Sequence, residues 1–212
     1  MTQCVRMKAI TLQQPWASLV AAGATNIVTR VWQTEYRGRL AIHAAGDIST
    51  DVRLRVLNQR VKGHNHSYEG SGSAVLNALY SAGFEDTSQI PLGAIVATCE
   101  LVDVAPIGGA TDFRTGIFEG DEGDYPGRAV VVIHDDGTVM LDTAEGRVIN
   151  ITNQKAYNEF VSGCFAWILS NIKSVEERCP MCWSENGCSH SRMLPTRGHR
   201  GLWKVRLNGQ KE

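Results

Sequence analysis

Short apolar runs dominate the chain, and most carry the twofold spacing or β-branched content of strands. Residues 8–12 open with such a run, which Gln13-Gln14-Pro15 interrupts. The apolar stretch 16–22 follows and ends at Gly23. Proline near the first turn and glycine past the last one bracket a short helix there. Runs at 27–33 and 39–43, parted by the polar turn Tyr36-Arg37-Gly38, predict two strands. Residues 49–62 begin Ser-Thr-Asp and place Leu54, Leu57 and Val61 at helical spacing, the pattern of an N-capped amphipathic helix. A Gly/Ser/His-rich loop at 63–72 separates it from a second predicted helix at 73–83.

The strongest strand pattern is 93–104, an apolar run with Glu100 as its one charge before Asp103. Residues 110–127 are Gly-rich and acidic, which predicts a surface loop. Strands at 129–133 and 138–141 flank Asp135-Asp136-Gly137, so a hairpin with an Asp-Gly turn is expected. A further strand at 147–152, a short helix at 154–160, a strand at 164–172 and a closing strand at 201–207 complete the pattern. There is no internal repeat. Many strands with few helices and no regular βαβ alternation predict an α+β fold built on a small, partly open β-barrel with flanking helices.

Composition changes this picture little. A chain of 212 residues, 43% hydrophobic and 20% charged, can bury a core without staples, and we read one domain over residues 7–207. With 21 basic against 22 acidic residues the net charge of -1 carries no global nucleic-acid signal. Local charge differs: Arg30, Arg37 and Arg39 cluster in the N-terminal part, and Arg192, Arg197, Arg200, Lys204, Arg206 and Lys211 crowd residues 192–212 against Glu212. Either run could face phosphate. The stretch 1–8 has no apolar signal-peptide core and no run has membrane-spanning length, so a cytoplasmic protein without membrane partners is expected.

Six cysteines in a chain of that kind are expected to stay reduced. Cys99 and Cys164 lie in apolar stretches and read as packing residues. Cys179-Pro-Met-Cys182 followed by Cys188-Ser-His190 is different, because four soft ligands at this spacing suit tetrahedral Zn2+. Four protein ligands leave no open position, so the expected zinc is structural and clips a loop over 176–199. His199 competes with His190 for the fourth place.

The segment Ile10-Thr-Leu-Gln13-Gln14-Pro15-Trp16-Ala-Ser-Leu-Val20, with Gly23, Arg30, Trp32, Thr34-Glu-Tyr36-Arg37-Gly38 and Ala41-Ile-His43-Ala44 behind it, resembles the ASCH domain family. Gly93-Ala-Ile-Val-Ala-Thr-Cys99-Glu100-Leu, Cys164-Phe-Ala-Trp167-Ile-Leu and Gly201-Leu-Trp203-Lys-Val are similar to its central, penultimate and closing strands, in family order. The resemblance implies a PUA-like small β-barrel with a cleft beside the first helix. It leaves about 108–160 and 176–199 as insertions, the second being the zinc loop.

The same residues describe a recognition surface by their chemistry. Trp16, Trp32 and Tyr36 offer flat faces for a base, Arg30, Arg37 and Arg39 offer forks for phosphate, and Gln13, Gln14, Thr34 and His43 offer donors and acceptors for a base edge. A histidine in an apolar run, such as His43, is nonetheless more often a satisfied core residue than a catalyst. Trp203, in a terminal strand, reads as core. RNA, or a single-stranded or modified nucleic acid, is the partner that the resemblance implies.

Catalysis is where the chain departs from the family. In the members that hydrolyse an acetylated cytidine, G-x-K-x-x-[E/T]-x-R supplies a lysine and a hydroxyl or acid that act with a glutamate on the central strand. Here the segment reads Gly23-Ala-Thr25-Asn-Ile-Val28-Thr-Arg30, so Thr25 and Val28 stand at the reacting positions and Glu100 alone keeps the third. A carboxylate can serve as general base, but without the ammonium a developing oxyanion has no partner. Binding without turnover is therefore the leading expectation. A ribonuclease or modified-nucleoside amidohydrolase using Glu100, and a protein-interaction domain built on the zinc loop, are the alternatives.

Overall fold

The computed structural model of the chain describes residues 4–48, 71–84, 89–112, 117–120, 128–136, 138–152, 163–175 and 198–208. In chain order the elements are β1 (Cys4–Gln14), α1 (Trp16–Ala21), β2 (Ile27–Arg30), β3 (Gly38–Ile48), α2 (Ser71–Ser81), β4 (Ile95–Asp112) and β5 (Ile117–Gly120). They continue with β6 (Ala129–Ile133), β7 (Val139–Asp142), β8 (Val148–Asn150), β9 (Phe165–Ser174) and β10 (Leu202–Asn208). The structure is mostly β with short helices, an α+β fold as the apolar pattern predicts. None of the described helices is long and apolar enough to cross a membrane. The helices expected at 49–62 and 154–160 lie outside the described residues, as does the cysteine loop through 197.

The chain packs as two compact units: Met1–Gly23, Arg39–Glu100 and Asn171–Glu212 form the first, and Ala24–Gly38 with Leu101–Ser170 the second. In the first, the strand order is β10–β1–β3–β4. β1 runs antiparallel to β10, from Cys4↔Asn208 to Ile10↔Leu202, and parallel to β3, from Lys8↔Leu40 to Leu12↔Ala44. Parallel neighbours need a crossover of at least about a dozen residues, and residues 15–37 supply it. Met7, Ala9, Ala41, Ile95 and Val205 form a core cluster of this unit, with Val175 and Trp203 packed at its margin.

In the second unit the order is β4–β6–β7–β8, with β5 on β4 and β2 on β9. β6 and β7 alternate strictly: Ala129, Val131, Ile133, Val139 and Leu141 point inward and join Ile27, Ala105, Ile107, Ile151 and Ala166 in one cluster. The β6–β7 hairpin closes through His134 N–H to Thr138 O at 2.8 Å and Thr138 N–H to Asp136 Oδ1 at 2.8 Å. Donation from Thr138, first by its backbone N–H and then by its side chain, holds the Asp136 carboxyl below its usual range.

Three expectations change. The sheet of described strands does not close into a barrel, where a small, partly open one is expected. The segment 110–127 was expected to be a loop, but its start continues β4 and its middle forms β5, paired from Gly109↔Gly120 to Asp112↔Ile117. Thr111, Ile117 and Phe118 carry enough strand preference for the ladder to form despite the glycines. β2 ends at Arg30 rather than 33, which frees residues 31–37 as a loop.

Candidate nucleic-acid interface

The residues expected to bind nucleic acid divide between the two units. Gln13, Gln14, Trp16 and His43, with Glu100, belong to the first, and Arg30, Trp32, Thr34, Tyr36 and Arg37 to the second.

In the first unit the register of β1 against β3 shifts between Leu12 and Gln14. Such a bulge re-aims side chains, and it leaves Gln13 exposed while Gln14 turns fully inward. The Gln14 amide donates to Pro91 O at 2.6 Å and accepts from Ser18 N–H at 3.1 Å. Gln14 thus satisfies one of the free amides at the start of α1, and its place among base-edge readers is corrected to a structural one. α1 itself starts with Leu19 N–H on Pro15 O and ends at Gly23, whose φ of 72° suits a residue without a Cβ. Trp16 is half-buried at its first position.

His43 is buried and meets Trp203 edge-on, with ring centroids 5.6 Å apart. Trp203 donates from Nε1 to Thr11 Oγ1 at 3.3 Å, Thr11 donates to His199 O at 3.1 Å, and the His199 ring lies edge-on to Trp203 at 5.2 Å. Gly198 closes over this group. A Cβ there would sit 2.5 Å from His43 Cε1 and 2.8 Å from Thr11 Oγ1. His43 therefore belongs to an internal aromatic cluster, and a ligand edge would not reach it as expected. Trp203 packs, as its place in a terminal strand predicts.

Glu100 is partly accessible on β4, and Asn171 Nδ2 donates to its Oε2 at 3.0 Å. Asn171 holds a φ of 49°, a left-handed backbone that costs most residues energy and that asparagine tolerates better. Beside it, Cys99 is buried and donates its thiol toward Leu40 O at 3.5 Å. Burial first, and then the charge of Glu100, push the Cys99 thiol up to about 12, so it stays neutral and inert.

The second unit treats its residues differently. Residues 31–37 form a loop whose backbone is tied by its own side chains. Thr34 Oγ1 accepts from Tyr36 N–H at 3.1 Å, and Arg37 Nη1 donates to Thr34 O at 2.8 Å and Tyr36 O at 3.0 Å. Gly38, with φ of 111°, ends the loop in a conformation that side chains disfavour. At the loop's other end Trp32 stands edge-on to buried Trp167, with centroids 4.6 Å apart, and Trp167 Nε1 donates to Trp32 O at 3.2 Å. Trp32 and Tyr36 remain partly accessible, and the Arg37 side chain is 40% exposed. Burial lowers the pKa of Arg30, which ends β2 and is partly enclosed.

Arg37 Nη2 also reaches Asp103 Oδ1 at 3.4 Å, and Arg147 Nη1 approaches Oδ2 of the same carboxylate at 3.8 Å. Asp103 and Arg147 were absent from the expected set. For Asp103 the sequence offers only a lone acid in the apolar run 101–107, which does not reveal its partners, and nothing in the sequence around Arg147 marks it.

Thr25 and Val28, which stand where the family pattern has its lysine and its hydroxyl or acid, are both buried. Thr25 Oγ1 spends itself locally, donating to Ile27 O at 2.9 Å and accepting from Ile27 N–H at 3.3 Å. The expected zinc ligands Cys179, Cys182, Cys188 and His190 lie outside the described residues, among which no group of three His, Cys, Asp or Glu side chains is placed to hold a metal. His199, the competing ligand, is described and exposed.

In comparisons with known proteins, no family model matches the chain and no curated protein sequence matches it.

Proposed function

We propose that this protein is a nucleic-acid-binding module of the ASCH type that takes a single-stranded or modified nucleotide, RNA foremost, on the 31–37 loop of its second unit. The observation that carries the proposal is the way this loop meets its own hydrogen-bonding needs. Arg37 and Thr34 bind the backbone groups of Thr34 and Tyr36, while Trp32, Tyr36 and the outer part of the Arg37 guanidinium stay accessible. A loop held in one conformation presents these groups without an ordering cost at binding. Flat faces beside a cationic fork are what an unpaired nucleotide engages, through base stacking and phosphate pairing. The sequence resemblance supports RNA as the partner, as an analogy of family rather than of site.

Binding of short single-stranded RNA, followed by fluorescence anisotropy across a salt series, tests the proposal. An affinity that falls with salt and is weakened in Trp32→Ala supports it. Equal affinity for single-stranded RNA and for a neutral polymer of the same length refutes it.

A second proposal rests on Glu100, which Asn171 holds from a left-handed backbone position, since strained residues gather at working sites. Under it the protein is a hydrolase acting on an RNA phosphodiester or a modified nucleoside. Turnover that disappears in Glu100→Ala would replace the binding proposal with this one. For the cysteine loop, a structural zinc remains a proposal from ligand spacing alone. Metal analysis of the purified protein tests it, with about one equivalent expected and less than about half an equivalent counting against a closed four-ligand site.

A further inference from the structure

We propose that Arg37 and Arg147 together form a seat for one phosphate group of the bound nucleotide, with Asp103 beneath them as the carboxylate that aligns both forks. The inference rests on the nucleic-acid proposal and names the anionic subsite within the second unit. Three separate elements converge here. Arg37 comes from the 31–37 loop, Asp103 from β4, and Arg147 from the turn between β7 and β8.

The charge balance favours an anion. Two guanidinium groups face one carboxylate, so the group carries one net positive charge. The placement is layered: the Asp103 side chain is 11% exposed, while those of Arg37 and Arg147 are 40% and 49% exposed. A ligand arriving from solvent meets the arginines first.

The distances show that the carboxylate does not saturate either fork. A charge-assisted pair closes to about 2.7–2.9 Å and is often bidentate. Here the contacts are 3.4 and 3.8 Å, each through one nitrogen. Asp103 Oδ1 is instead occupied by Val104 N–H at 2.7 Å, and buried Oδ2 accepts no hydrogen bond among the described residues. Of the five guanidinium N–H groups, Arg37 commits Nη1 to the loop backbone and one Nη2 hydrogen to Asp103. Among the described residues no hydrogen bond takes up its remaining donors or those of the Arg147 guanidinium, which leaves them to phosphate oxygens. Trp32 and Tyr36 in the same loop give the attached base flat faces, which an acidic peptide would not use.

Arg147→Gln is the informative substitution, because the turn is held by backbone and by Thr143, through Thr143 N–H to Arg147 O at 2.8 Å and Arg147 N–H to Thr143 Oγ1 at 3.1 Å. The fold of the turn does not depend on the side chain removed. Short single-stranded RNA is titrated against wild type, Arg147→Gln, Arg147→Lys and the exposed control Lys173→Gln across a salt series. In parallel the arginine Nε–H resonances are followed as inorganic pyrophosphate is added. The expected result is roughly a tenfold loss of affinity in Arg147→Gln, a salt slope reduced by about one, a partial loss in Arg147→Lys and none in Lys173→Gln. Pyrophosphate should shift the Arg37 and Arg147 resonances. RNA binding with unchanged affinity and slope in Arg147→Gln overturns the seat and leaves the nucleic-acid proposal standing. Pyrophosphate shifts without RNA binding uphold the anion seat and sink that proposal. An acidic peptide that binds in place of RNA, or an absence of both RNA and pyrophosphate binding, overturns the seat.

Discussion

The β1–α1 junction of the first unit and the 31–37 loop of the second are built from the same kinds of residue, and the fold puts them to opposite uses. At the junction Gln14 turns inward and ties α1 to Pro91 while Gln13 stays exposed, and on neighbouring β3 His43 is enclosed by Trp203 and Gly198. In the loop, polar side chains satisfy the backbone from outside and leave aromatic faces and a guanidinium accessible. An amide, a histidine or a tryptophan does not declare a binding role by its chemistry alone. What decides is whether the backbone nearby has already claimed it.

Substitutions that separate the two regions should differ in size. Trp167→Ala removes the buried ring on which Trp32 leans and the donor to Trp32 O, and is expected to cost about 3–5 kcal/mol by urea denaturation. The loop would lose its anchor, so RNA binding should fall together with stability. Gln14→Ala opens a buried pair of hydrogen bonds and should cost about 2–3 kcal/mol while leaving the RNA affinity of the folded fraction unchanged. A loss of affinity at constant stability would instead return Gln14 to the ligand surface and break the contrast. Gly198→Ala forces a methyl group onto His43 and Thr11, and about 1–2 kcal/mol of overpacking is expected, read as a lowered denaturation midpoint.

Cys99 gives the smallest effect at neutral pH. The thiol pKa is raised on folding, so the folded state holds its proton more tightly than the unfolded chain does. The associated stability is complete below about pH 8.5, the ordinary thiol range, and is lost as pH rises towards 12. A thiol reagent at pH 8 should label Cys99 only after unfolding. Rapid labelling of the native protein would contradict the burial of the first unit's core.

Much of the fold was legible in the chain because its strands obey simple periodicity. The alternation of Ala129, Val131 and Ile133 survives intact in β6, and the expected hairpin partner pairs with it as β7. The Pro15 and Gly23 punctuation correctly brackets α1. β5 escaped because glycines and acids read locally as loop, whereas cross-strand pairing with β4 decides the outcome. For the candidate interface, residue type named Trp32, Tyr36 and Arg37 together with Gln14 and His43 and could not tell the accessible side chains from the enclosed ones. Burial is a property of the folded chain. Asp103 and Arg147 were hidden for a related reason: three segments distant in sequence supply one small charged group.

The contrast between the two regions is tested most directly by the dissociation constant for short single-stranded RNA, measured side by side for Trp32→Ala in the loop and Gln13→Ala at the exposed end of β1. Base stacking on an aromatic side chain is worth about 1–3 kcal/mol, so Trp32→Ala should weaken binding by roughly 5- to 150-fold while Gln13→Ala stays within about twofold of wild type. Wild-type affinity in Trp32→Ala, or a greater loss in Gln13→Ala, would contradict the assignment of recognition to the loop.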